Sequence, residues 1–346
     1  MSSSILIKVF WTTLIAAGSA YEIYANDQTE KGLNPSVKAS RYPAYAEGYA
    51  LPIIFLCVWL FDVALFGPRT AFLTSANLFV GVFFQISLYF LILLPLMPLL
   101  RRRVSARACA LLWLLPNYLF LFNIGYSGFP QPLVVFSISL NTVWIILWVW
   151  LAGFVGVMGY KLLSHLWFRR RLLRGAVPVT DESVLEVWEE ELHRANLKNP
   201  RFRLVVSPQT ATPLTVGLFQ RTARVVLPQR QYAPEDLSLI FRHELIHLGR
   251  GDAWSKFFLV LCTAACWFNP LVWLAARKSA DDMEFSCDET VLLGSREEVR
   301  LRYANLLLKT AGDQRGFTTC LSASARALRY RLGSVMTPVQ KRSGAL

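Results

Sequence analysis

The stretch FRHELIHLGRGD, residues 241–252, determines how the second half of this chain is interpreted. It places His243 and His247 one helical turn apart, so that both imidazoles project from the same face of a helix. Glu244 directly follows the first histidine, which gives the HExxH pattern in which two histidines bind zinc and the glutamate acts on water. We therefore predict His243 and His247 as metal ligands and Glu244 as the catalytic base. The alternative is a pair of surface histidines on an ordinary helix.

A catalytic zinc site needs a third protein ligand and keeps one position for water. No third histidine follows the motif at a suitable spacing, so we look for a carboxylate. The stretch ADDMEFSCDETVLL, residues 280–293, has a helical pattern and carries Glu284 and Asp288 four residues apart on one face. We predict Glu284 as the third ligand, and Asp288 as the acceptor of an N–H group from a ligand imidazole. An ordinary solvated acidic face is the competing interpretation.

The first half of the chain is strongly apolar and predicts a membrane domain. Hydrophobic residues make up 54% of the 346 residues, and a membrane-spanning helix needs about 20 of them in a row. The apolar segments of suitable length run over roughly 4–21, 50–67, 74–100, 107–124 and 132–167. We predict a transmembrane domain of about five helices over residues 1–168. A cleaved signal peptide is the alternative for the first segment.

Arginine clusters set the predicted orientation and account for much of the net charge of +13. RRRVSAR (101–107) and FRRRLLR (168–174) flank two apolar segments, and the positive-inside rule assigns both clusters to the cytoplasm. The N-terminus is then outside the cell, and residues 169–346 are cytosolic. Since this charge lies beside apolar runs and no stacking-aromatic pattern accompanies it, we expect no direct nucleic-acid binding.

The pattern of residues 169–346 predicts an α+β domain with a small sheet. Together with the predicted transmembrane helices, this makes the whole chain mainly α. DESVLEVWEEELHRANL has the pattern of an amphipathic helix, and RFRLVVS and ARVVLP alternate as short strands. Between the strands, PQTATPLTVGLFQ predicts an edge strand beside the active site. Its candidate substrate-binding residues are Thr215, Val216, Gly217 and Leu218. The six cysteines form no C-x-x-C pair, and we interpret them as buried reduced thiols.

The apolar segment 254–276 lies between the two parts of the predicted metal site. Zinc–oxygen bonds are about 2 Å long, so Glu284 must reach the same ion as the two histidines. A single crossing would separate them by a hydrocarbon layer of about 30 Å. We therefore predict that the segment dips into the membrane as a bent pair with its break at Asn269–Pro270, or packs as a core helix.

The chain resembles the BlaR/MecR-type integral-membrane zinc metallopeptidases, whose best-known members are β-lactam-sensing signal transducers. The matching segments are PLTVGLFQRTARVVLP (213–228), EDLSLIFRHELIHLGRGD (235–252), WFNPLVWLAA (267–276), EFSCDETVL (284–292) and LRYRLGSVM (328–336). Together with the preceding helices, the resemblance covers nearly the whole chain. It implies a gluzincin-like, zincin-type site in the cytosol with one Zn2+ ion per chain. Carried over by motif, Asp288 and, more weakly, Asp252 would contact the ligand imidazoles.

The resemblance also implies limited proteolysis of a protein or peptide substrate. In the sensors, cleavage is directed at the sensor itself and at a cytosolic transcriptional repressor. Tyr303 and Arg331 are candidate oxyanion donors, with a structural role as the alternative for each, and a homodimer is a candidate assembly. The β-lactam sensors continue into a penicillin-binding domain. This sequence ends at Leu346 without one and without an S-x-x-K motif, so we do not expect direct β-lactam sensing.

Two other functions stay open at this point. A quality-control or processing metallopeptidase of the membrane HExxH type also uses a later glutamate, although the WFNP and EFSCDE segments fit the BlaR/MecR type better. A non-catalytic sensor or scaffold would use zinc only for stability, and would need a closed four-ligand site. A transporter or channel is disfavoured because few ionisable residues lie within the apolar segments.

Overall fold

The computed structural model describes Ala17 and residues 60–61, 63–116, 139–195, 201–219, 221–311 and 325–336. Apart from Ala17, the predicted apolar segment 4–21 lies outside these residues. The predicted segments 50–67, 107–124 and 132–167 lie only partly within them.

Two long apolar helices, α1 (Pro68–Arg103) and α3 (Leu140–Leu172), are separated in sequence by the short helix α2 (Ala106–Leu112). Val80–Arg103 of α1 and the whole of α3 are long and apolar enough to cross a membrane. Each long helix carries three consecutive arginines in its last turn. The apolar helix predicted at 74–100 is therefore present, and so is the described part of the one predicted at 132–167, while the five-helix bundle and its orientation stay predictions.

The remainder of the described chain combines a small sheet with six helices. Its elements are β1 (Val177–Pro178), α4 (Glu182–Arg194), β2 (Arg203–Ser207), β3 (Leu214–Val216), β4 (Arg224–Pro228), α5 (Pro234–Arg250), α6 (Asp252–Ala265), α7 (Pro270–Val291), α8 (Glu297–Ala311) and α9 (Ala325–Met336). The strand order is β1-β2-β4-β3, with β2 parallel to β4 and the outer strands antiparallel. β3 therefore lies at an edge of the sheet, and Gly217 and Leu218 follow it.

The sequence explains where the HExxH helix begins and ends. Pro234 occupies the first turn of α5, where its missing N–H group is not needed, and Glu235 and Asp236 complement the helix dipole there. The helix stops at Gly251, whose φ of 70° is left-handed, a conformation that glycine adopts without a steric penalty. The same residue opens α6, so the chain turns sharply and brings Asp252 back toward the end of α5.

The apolar segment 254–276 forms two helices that meet at a turn. α6 ends at Ala265, and Asn269 caps the N-terminus of α7 by accepting a hydrogen bond from the backbone N–H of Leu271. The turn packs against both long apolar helices. The indole N–H of Trp150 on α3 donates to the carbonyl of Ala265 at 2.8 Å, and the Asn269 amide donates to Ser87 on α1 at 2.7 Å. This is a bent pair, and its depth in a bilayer stays a prediction.

Among the apolar clusters of the described residues, three connect the main elements of the fold, and α7 contributes to two of these three. One cluster joins α1 and α2 to α6 and α7 and includes Ala275 and Met283. A second joins α4, the sheet and α5 around Phe241. A third packs α8 and α9 against α7 through Cys287 and Val291. Helix α7 thus runs from the apolar helices into the polar half, and it carries Glu284 between them.

Candidate metal centre

His243 and His247 from α5 and Glu284 from α7 converge on one point. The Nε2 atoms of the two histidines are 3.1 Å apart. The Glu284 carboxylate places Oε2 3.5 Å from Nε2 of His243 and Oε1 3.6 Å from Nε2 of His247. Ligand atoms at about 2.0–2.1 Å from a tetrahedral zinc ion lie about 3.3 Å from one another. The three separations therefore fit a single ion bound by the three predicted ligands.

The charges at this point also suit a divalent cation. Burial lowers the pKa of His243, but Cys287 and Glu284 outweigh burial and raise it to about 10. Burial favours the neutral form of Glu284, yet the charges of His247 and Lys256 hold its pKa well below the ordinary value. The negative charge beside the two imidazoles thus raises the pKa of both and favours positive charge at this point. A bound metal ion would supply the same positive charge.

The outer nitrogen of each histidine has a carboxylate partner. Nδ1 of His247 lies 2.5 Å from Oδ2 of Asp252, which the turn at Gly251 brings into place. Nδ1 of His243 reaches Asp288 through the Tyr303 hydroxyl, which donates to Oδ1 of Asp288 at 2.6 Å and lies 2.9 Å from Nδ1. These contacts favour the tautomer that carries its proton on Nδ1 and leaves Nε2 free to bind a metal.

Tyr303 and Arg331 contact the carboxylates of the site. Burial and the charge of Asp288 raise the pKa of Tyr303 well above its ordinary value, so its hydroxyl stays protonated. Arg331 donates to Asp288 through two nitrogens at 2.6 and 2.7 Å, and its Nη1 lies 3.7 Å from Oε2 of Glu284. These contacts favour an orienting role for both residues, and their role as oxyanion donors stays a prediction.

The predicted base and the predicted edge strand also meet. Glu244 is buried, and the Thr215 hydroxyl on β3 donates to its Oε2 at 2.6 Å. Val216 points into the core on the opposite face of the strand. Gly217 has a φ of 117°, and a Cβ there would lie 2.6 Å from the carbonyl oxygen of Thr222. A side chain at this position would therefore disturb the turn that returns the chain from β3 to β4.

Two residues of the site were missed from sequence. Sγ of Cys287 lies 3.3 Å from Nδ1 of His243, and Cys287 forms with the two histidines a group whose potential ligand atoms are within 4.8 Å. Nζ of Lys256, on α6, lies 3.5 Å from Oε1 of Glu284. Cys287 is three residues beyond Glu284 on the same helix. This spacing places both on one helix face and could have indicated Cys287 as a neighbour of the site.

Of the two candidate ligand trios, the geometry favours the one with Glu284. The carboxylate of Glu284 faces Nε2 of both histidines. The sulfur of Cys287 instead approaches Nδ1 of His243, the nitrogen that Tyr303 also contacts. Cys287 is buried and reduced, as are Cys109, Cys262 and Cys266, which agrees with the interpretation of the thiols within the described residues.

Comparison with known proteins identifies the relatives of this chain. A segment of 127 residues, 36% of the chain, is 30% identical to the regulatory protein BlaR1 of Bacillus licheniformis. That segment spans only 21% of the length of the relative. Residues 123–334 match the BlaR1 peptidase M56 family, and this range includes α3, the sheet, and every residue of the candidate metal centre. Because the match extends over more than half of the sequence, the chain belongs to the BlaR1 peptidase M56 family.

Proposed function

We propose that this protein is a membrane-embedded zinc endopeptidase that carries out limited proteolysis in signal transduction. The observation that carries the proposal is the convergence of two imidazole nitrogens and the Glu284 carboxylate, at tetrahedral spacing, beside the buried carboxylate of Glu244. Three ligands leave one position for water, which distinguishes a catalytic zinc site from a closed structural one. Membership of a peptidase family supports the same conclusion.

The residues of the site can divide the chemistry between them. A zinc ion bound by His243, His247 and Glu284 would supply Lewis acidity that polarises the scissile carbonyl and acidifies a water molecule. Glu244 accepts the proton of the attacking water and passes it to the leaving amine. The Thr215 hydroxyl holds one carboxylate oxygen of Glu244 and leaves the other for the proton. Asp252 and Asp288 keep the ligand imidazoles in the required tautomer and orientation.

The edge strand β3 is the proposed substrate-binding element. One side of β3 pairs with β4, and the other side faces away from the sheet. An extended peptide can add to such an edge through main-chain hydrogen bonds, which read the backbone rather than the sequence. Because Thr215 contacts Glu244, a peptide along Thr215–Leu218 would pass close to the catalytic base. The relative is named a regulatory protein, which supports a role in regulation, and the substrate we propose is a cytosolic regulator such as a transcriptional repressor.

The proposed location is the cell membrane, with the active site on the cytoplasmic side and the N-terminus outside. Helix α3 supports this location because its large exposed side chains between Ile145 and Trp167 are mostly apolar, and its last turn carries Arg169–Arg171. The bent pair α6–α7 packs against this helix, so the metal centre would lie near the inner membrane surface.

Replacement of the proposed base tests the mechanism. We expect Glu244→Gln in the full chain to retain zinc, measured by elemental analysis, and to lose the cleavage products that wild-type cells accumulate. Glu235→Gln is the matched control, since Glu235 lies on the same helix and its side chain is 67% exposed. Unchanged proteolysis in a zinc-loaded Glu244→Gln protein would contradict the proposed mechanism. It would favour the alternative in which zinc only stabilises a sensor or scaffold.

A further inference from the structure

Three arginines from three different elements meet at one end of the sheet. Arg203 begins β2 and Arg224 begins β4, and the two residues are paired in the parallel ladder, so their side chains leave the same face of the sheet. Arg169 lies in the last turn of α3, and its Nη2 contacts the carbonyl oxygen of Thr222 at 3.4 Å. Helix α3 covers this face because Leu172 packs among the inward residues of the strands.

This arginine cluster, Arg169, Arg203 and Arg224, has no carboxylate partner within the part of the chain that the structure describes. Arg224 donates instead to the backbone carbonyls of Arg221 and Ala223. The Nε atom of Arg169 is buried and makes no hydrogen bond to a described residue. Charges that are partly buried, as those of Arg169 and Arg224 are, are normally paired, and Arg101, Arg242 and Arg331 each contact a carboxylate. Among the described residues, the arginine cluster therefore has capacity to bind an anion.

The position of the cluster along α3 indicates the source of that anion. From Ile145 to Trp167 the large exposed side chains of α3 are mostly apolar, a rise of roughly 33 Å at about 1.5 Å per residue. This length matches a hydrocarbon core of about 30 Å. Trp167 is 62% exposed, as expected at a membrane interface, and Arg169 follows it by two residues. Arg169 would thus lie at the depth of the lipid phosphates.

We propose that Arg169, Arg203 and Arg224 bind the phosphate group of an anionic phospholipid where α3 leaves the membrane. Guanidinium groups suit this ligand because they donate paired hydrogen bonds to phosphate oxygens. Arg224 lies opposite Val216 in the ladder between β4 and β3, so the lipid would hold the proposed substrate strand at the membrane surface. The inference rests on the proposed membrane embedding of α3 and is independent of proteolysis.

Lipid retention by the full chain in detergent tests the site. We expect native mass spectrometry to show phosphatidylglycerol retained in preference to phosphatidylcholine. The variant Arg169→Gln/Arg203→Gln/Arg224→Gln should lose at least about tenfold of that preference. The matched control, Arg170→Gln/Arg171→Gln/Arg174→Gln, removes the same charge from exposed positions at the same helix end and should retain it. Arg203→Gln alone, at an exposed position, gives a smaller loss if the triple variant does not fold.

The other possible results of these experiments each contradict a different part of the proposal. An equal loss in both triple variants would mean nonspecific attraction of charge, and the site would be wrong. Stabilisation of the lipid-free protein by inorganic phosphate, without any lipid preference, would overturn the lipid assignment in favour of free phosphate. Membrane fractionation of wild-type cells tests the embedding separately. A chain found in the soluble fraction would refute the membrane location itself, whereas a membrane-bound chain without lipid preference would refute only the lipid site.

Discussion

Helix α7 carries Asp282 and Glu284 two residues apart, and the two carboxylates have different kinds of partners. Asp282 has no exposed surface and accepts hydrogen bonds from two nitrogens of Arg101, at 2.7 and 2.9 Å, and from the Trp113 indole at 2.6 Å. Glu284, two residues later, faces two imidazoles at 3.5 and 3.6 Å. We refer to the first group as the Asp282 junction and to the second as the metal centre.

The contact distances distinguish a structural ion pair from a candidate metal site. The contacts of the Asp282 junction have the lengths of good hydrogen bonds, and the charge of this carboxylate is balanced by Arg101 within the fold. The contacts of Glu284 are longer than good hydrogen bonds and match the spacing of atoms around a common ion. Burial of a carboxylate therefore does not identify a site. The arrangement of its partners does.

The Asp282 junction and the metal centre are also connected through side-chain contacts. Arg101 lies at the end of α1, and its guanidinium is 5.6 Å from the ring of Phe285 and 5.9 Å from that of Tyr330. Those aromatic residues are the direct neighbours of Glu284 and Arg331 in sequence. The Asp282 junction therefore ties the end of an apolar helix to the backbone that positions the metal centre.

The largest expected effect is loss of the metal through Glu284→Gln. We expect zinc affinity to fall by more than about a hundredfold, beyond the effect typical of outer-sphere partners, because a ligand is removed. Metal titration of the full chain measures the change. Cys287→Ser is the comparison variant and should keep its zinc. The reverse pattern, with zinc lost only from Cys287→Ser, would mean that the trio of two histidines and Cys287 holds the metal.

At the Asp282 junction we expect a loss of stability instead. Arg101→Met leaves a buried carboxylate without its cation and should lower the free energy of unfolding by about 3–5 kcal/mol. Thermal unfolding in detergent follows the change, and Arg101→Met/Asp282→Leu should recover most of it because both charges are then removed. Arg302→Met breaks the exposed pair with Glu235 and should change stability by about 0–1 kcal/mol. A double variant as unstable as the single one would contradict the structural interpretation.

Asp252→Asn should act on the metal centre without removing a ligand. The amide can present its N–H group to Nδ1 of His247, which favours the wrong tautomer, so we expect zinc affinity to fall by about 10–100-fold. Competition with a chelator of known affinity measures this. Asp236→Asn, on the first turn of α5, serves as the control and should leave zinc affinity unchanged. Equal zinc affinities in wild type and Asp252→Asn would mean that Asp252 does not influence the metal centre.

The smallest expected effect is that of Thr215→Val, which removes the hydroxyl that positions Glu244. We expect kcat to fall roughly tenfold with zinc content unchanged, because hydrogen bonds to charged groups contribute about 1.5–3 kcal/mol. Thr215→Ser keeps the hydroxyl and should recover most of the rate. A change confined to KM in Thr215→Val would mean that Thr215 binds substrate and does not position the base.

Much of the candidate site was predictable because its spacing is local. The one-turn separation of His243 and His247 places both on one helix face wherever that helix packs. Gly251 and Pro234 similarly mark the ends of α5 through their own backbone preferences. Glu284 could be predicted as a ligand only by combining the helical pattern of its segment with the need for a third ligand. The bonding of Tyr303 between His243 and Asp288 could not be predicted, since these residues come from three separate helices.

By itself, the sequence determined the apolar helices, the HExxH face and the strand pattern, because each depends on the periodicity of a single segment. Only the tertiary structure decided that α7 packs against α5, that Arg101 meets Asp282, and that Arg203 and Arg224 lie on the face of the sheet that α3 covers. The physical reason is that contacts between distant segments depend on how whole elements pack. Helix and strand periodicity states which face is buried, but not which partner covers it.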